Sequence, residues 1–374
     1  MEERKKLMAE CRQIIVKAGT RLLTDPESIP QLIHGIALLR KKGYQVLLVS
    51  SGAVGTGLKL LKKSKRPRKL AEIQALAALG QGQLMAEYNA ACAKEGFLAA
   101  QLLLTRDDLR HRDRYLNVQN CIQALWNHNI LPIVNENDSV SVAELKFSDN
   151  DILSGMLAAM TQSQLTVILT TESGLRRREN GVLTDRISVV SDITDEILGM
   201  AGGTDDPTFS IGGMASKLNA AMLATRAGGH LWIADGRHAD VLKQIANGED
   251  IGTLFLPQEE KLHSRKLWID SFAEVCGRIV VDEGAAKALI QDGSSLLPSG
   301  VKQVHGHFDA SDAVEIVTRN GNPVGRGLAN FSSEDCYKIR GLRAAEVTEL
   351  LGSNAPAEVI HRDKLSLCRQ DGRS

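Results

Sequence analysis

The sequence predicts an α/β fold, a mostly parallel central sheet sandwiched by helices, with a small β-rich domain at its C-terminal end. Three observations predict it. Over the first two-thirds of the 374 residues, short apolar runs alternate with longer helical patterns, as βαβ units do. The composition, 43% apolar and 24% charged, supplies enough aliphatic side chains for a sizeable core. Near residue 262 the pattern changes to short strand-like runs split by turn signals. The expected domains are residues 1–265 and 274–356.

Buried strands are read at Gln13–Lys17, Gln45–Ser50, Gln101–Leu104, Leu131–Asn135, Leu165–Thr170 and His230–Ala234. Helices are read at Pro30–Lys42, Ala71–Lys94, Arg114–Asn127, Asp151–Ala159 and Gly213–Ala227. In such sheets ligands sit beyond the carboxyl ends of the strands, so the polar and glycine residues there are the functional candidates. His263–Ser271 reads as a connection. Beyond it, Arg278–Val281, Gly300–Val304, Ala313–Thr318 and Val324–Leu328 read as strands. Asn320-Gly321-Asn322-Pro323 is hairpin chemistry between the last two. A short helix is expected near Ala344–Leu351, and a polar, poorly ordered tail from Gly352.

Several function classes are disfavoured. Formal net charge is zero and aromatics make up 4%, which suits neither a nucleic-acid surface nor a stacking platform. The six cysteines form no C-x-x-C pair and fit neither a zinc site nor a disulfide framework. No signal-like apolar segment follows the charged N-terminus and no run is long enough to span a membrane. A cytoplasmic protein with no membrane partner is expected. The seven cations of Lys59–Lys69 read as a solvated loop.

Four clusters at strand or helix ends could carry chemistry. Lys17-Ala18-Gly19-Thr20 ends the first strand, a cation beside a glycine that lets backbone amides approach a phosphate. Ser50-Ser51-Gly52-Ala53-Val54-Gly55-Thr56-Gly57 ends the second, with small residues that admit a ligand. Asn135-Glu136-Asn137-Asp138 and Ser148-Asp149-Asn150-Asp151 offer carboxylates and amides for an ammonium group or a magnesium-bound phosphate. Gly212-Gly213-Met214-Ala215-Ser216-Lys217 opens a helix, where amides and a lysine favour an anion. Each alone has an ordinary explanation: a solvated turn, a strand-to-helix turn, helix caps, a glycine loop.

The ordered set resembles the glutamate 5-kinases, a branch of the amino-acid kinases, over nearly the whole chain. Further matching segments are Gln74–Gln81 (QALAALGQ), Leu103-Leu104-Thr105-Arg106, Arg114-Tyr115-Leu116-Asn117, Arg265–Ile269, Val281–Ala286, Gly293–Gly300 and His361-Arg362-Asp363. The tail resembles a PUA domain. The resemblance implies an amino-acid-kinase fold with a PUA-like tail. It implies a transferase that phosphorylates the side chain of L-glutamate with ATP and Mg2+, the first step of proline biosynthesis. It implies Lys17 and Lys217 as catalytic, and Ser51, Gly52, Ala53, Asp138, Asn150 and Asp151 as substrate-binding. Lys17, Gly19, Thr20, Thr170, Thr171, Ile211, Gly212, Gly213, Met214, Ala215, Ser216 and Lys217 are the implied ATP-binding residues, and no protein metal ligand is assigned. It further implies a homo-oligomer, feedback inhibition by proline at the glutamate site, and coupling to a glutamyl phosphate reductase.

Two departures bear on nucleotide use. Where the family reads Thr-Asp-x-x-Gly-Leu-Tyr, this chain reads Thr170-Thr171-Glu172-Ser173-Gly174-Leu175-Arg176, and Arg21 replaces a small hydroxyl residue. Weakened ATP binding is the expectation. Two rival readings stand beside this one: a kinase for another small acid, and a degenerate kinase body whose PUA-like tail makes it a regulatory or RNA-binding protein. The second is disfavoured because Gly277–Gly352 carries eight Lys plus Arg against ten Asp plus Glu, a poor match to a phosphate backbone.

Overall fold

The computed structural model describes residues 2–23, 25–141, 150–179, 182–200, 213–258, 264–353 and 355–368. The chain divides into two compact units, one of Met1–Leu109 with Asp113–Leu262, the other of Arg110–Arg112 with His263–Ser374.

The first unit is built on strands β1 (Gln13–Ala18), β2 (Gln45–Val49), β3 (Ala99–Leu104), β4 (Leu131–Glu136), β5 (Leu165–Thr170), β6 (Arg176–Glu179), β7 (Val182–Arg186), β8 (Val189–Val190), β9 (His230–Asp235) and β10 (Thr253–Phe255). Eight of them form one sheet in the order β3-β4-β2-β1-β5-β9-β10-β8, and β6 pairs with β7 as a separate hairpin. Every pairing in the large sheet is parallel except β9 with β10. The central strands are apolar along their length and buried, which is what a parallel sheet covered on both faces requires.

The helices are α1 (Glu2–Glu10), α2 (Ser28–Lys41), α3 (Ala53–Leu60), α4 (Leu70–Lys94), α5 (Arg106–Arg110), α6 (Arg112–Asn127), α7 (Asn150–Thr161), α8 (Asp195–Met200), α9 (Met214–Arg226) and α10 (Val241–Ala246). Ile14, Val16 and Ala18 of β1 join Ile33 and Ile36 of α2, Leu84 and Tyr88 of α4 and Leu242 of α10 in one core. α7 packs on α9, on β1 and on β5. Lys17, between Val16 and Ala18, therefore points to the α7 side, because side chains alternate along a strand. The ends of β1, β2 and β5 lie level, Lys17 pairing with Val49 and with Ile168. The polar residues after each strand are thus gathered at one edge.

The second unit holds α11 (Ser264–Ser271), β11 (Val275–Val281), α12 (Glu283–Asp292), β12 (Val301–Gly306), β13 (Ala313–Thr318), β14 (Pro323–Leu328), α13 (Ser333–Ile339), α14 (Ala344–Leu351) and β15 (Leu365–Leu367). Its sheet order is β12-β11-β13-β14-β15, over a core that includes Ile279, Phe308, Ile316 and Ile360. The β13–β14 hairpin turns at Asn320–Asn322, as its chemistry predicts. Two expectations fail here. His263–Ser271 is no mere connection: from Ser264 it is helical, it buries Leu267, Trp268 and Ile269, and it packs on β14 and β15. The described part of the tail, residues 355–368, is not loose: Val359 and Ile360 are fully buried and β15 closes the sheet against β14. No helix among the described residues is long and apolar enough to cross a membrane.

Candidate active site

Lys17, from the end of β1, and Lys217, from the first turn of α9, meet on one carboxylate. Lys17 Nζ lies 2.5 Å from Asp151 Oδ1, and Lys217 Nζ lies 2.8 Å from Asp151 Oδ2. The side chains are 6%, 7% and 0% exposed respectively, so this is a desolvated cluster and not a surface ion pair. Burial alone would raise the Asp151 carboxyl; the two ammonium groups outweigh it and hold the group below the usual carboxylate range. Among the described residues two cations meet one anion here, at the place where the strands end.

Asn150, the preceding residue, faces the other way. Its Nδ2 donates to Ser50 O (2.7 Å), Ser51 Oγ (2.9 Å) and Asn135 Oδ1 (3.0 Å). Asn135 in turn donates to Gln81 Oε1 (2.8 Å). Among the described residues the buried Asn150 Oδ1 has no hydrogen-bond partner. After Ser51 the chain turns at Gly52, whose φ of +106° suits glycine, and Ala53 begins α3. Asp138 stands half-buried in the turn that follows β4.

The structure thus brings Lys17, Asp151 and Lys217 together, and Asn150, Ser51 and Asn135 beside them. Asp151, expected to bind substrate or cap α7, has both oxygens on lysines. Gly19 and Thr20 follow Lys17 directly, and the Gly19 N–H makes a long bond to Leu169 O (3.4 Å). Thr170 ends β5 and Thr171 follows it, both half-buried. Gly213, Met214, Ala215 and Ser216 lead into Lys217 at the start of α9. Ile211, Gly212, Ser148 and Asp149 lie outside the described residues. In the altered segment, Arg176 donates through Nε to Thr184 O across the β6–β7 hairpin (2.7 Å), while Arg177 is exposed. Sequence reasoning missed Tyr88, whose Oη lies 2.8 Å from Ser50 Oγ; its spacing of seven from Gln81 on one helix was the available signal.

The sequence profile of the amino acid kinase family matches residues 12–235, and that of the PUA domain residues 277–351. The chain belongs to the amino acid kinase family. Its relatives define the branch. It is 41% identical over 361 residues to a glutamate 5-kinase of Caldanaerobacter subterraneus subsp. tengcongensis, covering 94% of this chain and 97% of the relative. It is 41% identical over 372 residues to a glutamate 5-kinase of Trichlorobacter lovleyi, covering 97% and 99%. The resemblance read from the motifs is borne out at the level of family and branch. Among solved structures, carbamate kinase from Giardia lamblia bound to AMP-PNP aligns with a TM-score of 0.48 at 19% identity, over 67% of this chain and 100% of that one.

Proposed function

We propose that the chain transfers the γ-phosphoryl group of ATP to the side-chain carboxylate of L-glutamate, giving L-glutamyl 5-phosphate and ADP, the first step of proline biosynthesis. The observation that carries this is the buried Lys17–Asp151–Lys217 cluster, one residue from the Asn150 amide hub, in a chain whose full-length relatives are glutamate 5-kinases.

A glutamate side chain has a pKa of about 4.3, so the nucleophile is ionised at neutral pH and no general base is needed. A carboxylate oxygen bonds to the γ-phosphorus, the β,γ-bridging P–O bond breaks, and its electron pair leaves with ADP. The obstacle is the approach of one anion to another. Lys17 and Lys217 answer it with two ammonium groups fixed before substrate arrives. Asp151 holds them together; without it, two buried cations would repel. Asn150 Oδ1 and Asp138 are acceptors for the α-ammonium of glutamate, and the backbone of Ser51, Gly52 and Ala53 at the start of α3 receives the α-carboxylate. Thr170 and Thr171, with the loop entering α9, hold the nucleotide.

Both Asp151 oxygens are taken by lysines, so that carboxylate does not suit a metal ion. Mg2+ would instead arrive with the nucleotide and would supply charge neutralisation to its phosphates, beside Lys17 and Lys217. The same reading includes proline as a feedback inhibitor at the glutamate site, a cytoplasmic homo-oligomer, and transfer of the reactive acyl phosphate to a glutamyl phosphate reductase. The test is glutamate-dependent ADP release by the purified protein, with hydroxylamine trapping the acyl phosphate as its hydroxamate. Folded protein that gives no hydroxamate at millimolar MgATP and glutamate excludes the proposal.

A further inference from the structure

Gln81 and Tyr88 stand seven residues apart on α4, on one face of the helix. Both are buried, Gln81 8% and Tyr88 1% exposed, and each touches a polar group one link from the substrate pocket. Tyr88 Oη lies 2.8 Å from Ser50 Oγ, which donates to Ser51 O (3.3 Å). Gln81 Oε1 accepts from Asn135 Nδ2 (2.8 Å), and Asn135 Oδ1 accepts from Asn150 Nδ2 (3.0 Å). The two arms rejoin at Asn150, which also donates to Ser50 O and Ser51 Oγ. α4 is itself fixed against the substrate loop. It crosses α3 backbone to backbone, so that a Cβ at Gly80 would run into Ala53 O and one at Gly57 into Leu76 O.

We infer that Tyr88 and Gln81 are positioning residues for glutamate, acting through Ser50–Ser51 and through Asn135–Asn150 respectively. This rests on the function proposed above. The Asn150 amide has only two hydrogens for three acceptors, so its orientation depends on where those acceptors are held. Gln81 fixes Asn135, and Tyr88 fixes Ser50 from beneath. The other edge of the Asn150 amide, its buried Oδ1, is thereby held in one orientation and, among the described residues, has no competing partner. Neither residue is linked by a described hydrogen bond to Lys17, Asp151 or Lys217, so the effect should fall on glutamate and not on ATP.

The experiment uses the full chain with Tyr88→Phe, Gln81→Leu, Gln81→Glu and the double variant Tyr88→Phe/Gln81→Leu. Losing one hydrogen bond predicts a roughly fivefold rise in glutamate KM for Tyr88→Phe and for Gln81→Leu. The KM for MgATP should stay within about twofold, and Gln81→Glu, which keeps the acceptor, should recover most of the loss. The double variant should depart from the product of the single effects, because both arms end on Asn150. Equal rises in both KM values, or folded variants with unchanged glutamate KM, would overturn the inference. Absence of hydroxamate from the wild-type chain overturns the functional reading as well, which separates the two failures.

Discussion

Asn150 and Asp151 are neighbours on the first turn of α7, yet they organise two halves of the site by opposite means. The Asp151 half is ionic: two buried lysines share one carboxylate. The Asn150 half is neutral: four amide or hydroxyl side chains, those of Asn150, Asn135, Gln81 and Ser51, are linked by hydrogen bonds. Phosphoryl transfer needs charge where charge moves, and an ion cluster in a desolvated setting supplies it. Choosing one small amino acid needs donors and acceptors at fixed points, and neutral amides supply those with less desolvation cost than ions. The difference predicts that the ionic half governs kcat and stability, while the neutral half and its surroundings govern glutamate KM.

The sharpest break in that comparison is Lys217→Ala. A charge used mainly in the transition state should lower kcat about 100-fold or more while leaving glutamate KM within a few-fold. Steady-state kinetics by hydroxamate yield decides it; normal kcat with a raised glutamate KM would move Lys217 to the other half.

Asp151→Asn comes next and reads out in stability. Removing the shared anion leaves two buried ammonium groups facing each other, and breaking such a pair costs about 3–5 kcal/mol. Urea melts of wild type, Asp151→Asn and Asp151→Glu measure it. The pH dependence follows from the lowered Asp151 carboxyl. A depressed folded pKa means this contribution is present above the ordinary carboxylate value and is lost as pH falls through the folded one, thus below about pH 4. The wild type should lose stability there, and Asp151→Asn should lose less over the same range.

How far the sequence foretold this site depends on the range of the interactions. The strands were legible because each is a continuous apolar run, and β5 is found at the residues expected, Leu165–Thr170. Both lysines were legible as cations beside glycines. Their meeting on Asp151 was not, because Lys217 stands 66 residues further on and reaches it only through tertiary packing of α9 on α7. From Ser50 to Gly57 the sequence reads as a ligand-approach loop or a strand-to-helix turn, and α3 is not among the expected helices. Its sequence AVGTGLKL has little intrinsic helix preference, and it is helical where Gly57 and Gly80 let it lie against α4. α11 was missed because Leu267, Trp268 and Ile269 are too short an apolar run to show a helical period. β15 is three residues long and owes its existence to pairing with β14.

On the neutral side, Asp138→Ala should raise glutamate KM by roughly ten- to a hundredfold, since a charged hydrogen bond contributes about 1.5–3 kcal/mol. The MgATP KM and kcat should change little. Titrating each substrate at saturation of the other checks this, and a loss of ATP affinity would place Asp138 with the phosphate group instead.

The smallest effect is expected from removing the second unit, and the position of the cut matters. The two units have separate cores, one around Ile14, Val16 and Trp232, the other around Ile279, Ile316 and Ile360. The residues of both halves of the site lie in the first. A cut near Trp268 falls between the domains expected from the sequence, 1–265 and 274–356, but α11 packs on β14 and β15 of the second unit. A chain ending at Trp268 would keep part of that helix with its partners gone, exposing Leu267 and Trp268. A chain ending at Leu262 leaves α11 out altogether. Met1–Leu262 should fold, with glutamate KM and kcat within about twofold of the full chain, because surface changes away from a site are commonly below 0.5 kcal/mol, or about twofold. Met1–Trp268 should show more aggregation at equal concentration. Light scattering and hydroxamate kinetics on the two truncations test this together. A monodisperse, folded Met1–Leu262 without activity would show that the ionic and neutral halves do not suffice, and that the second unit takes part in catalysis.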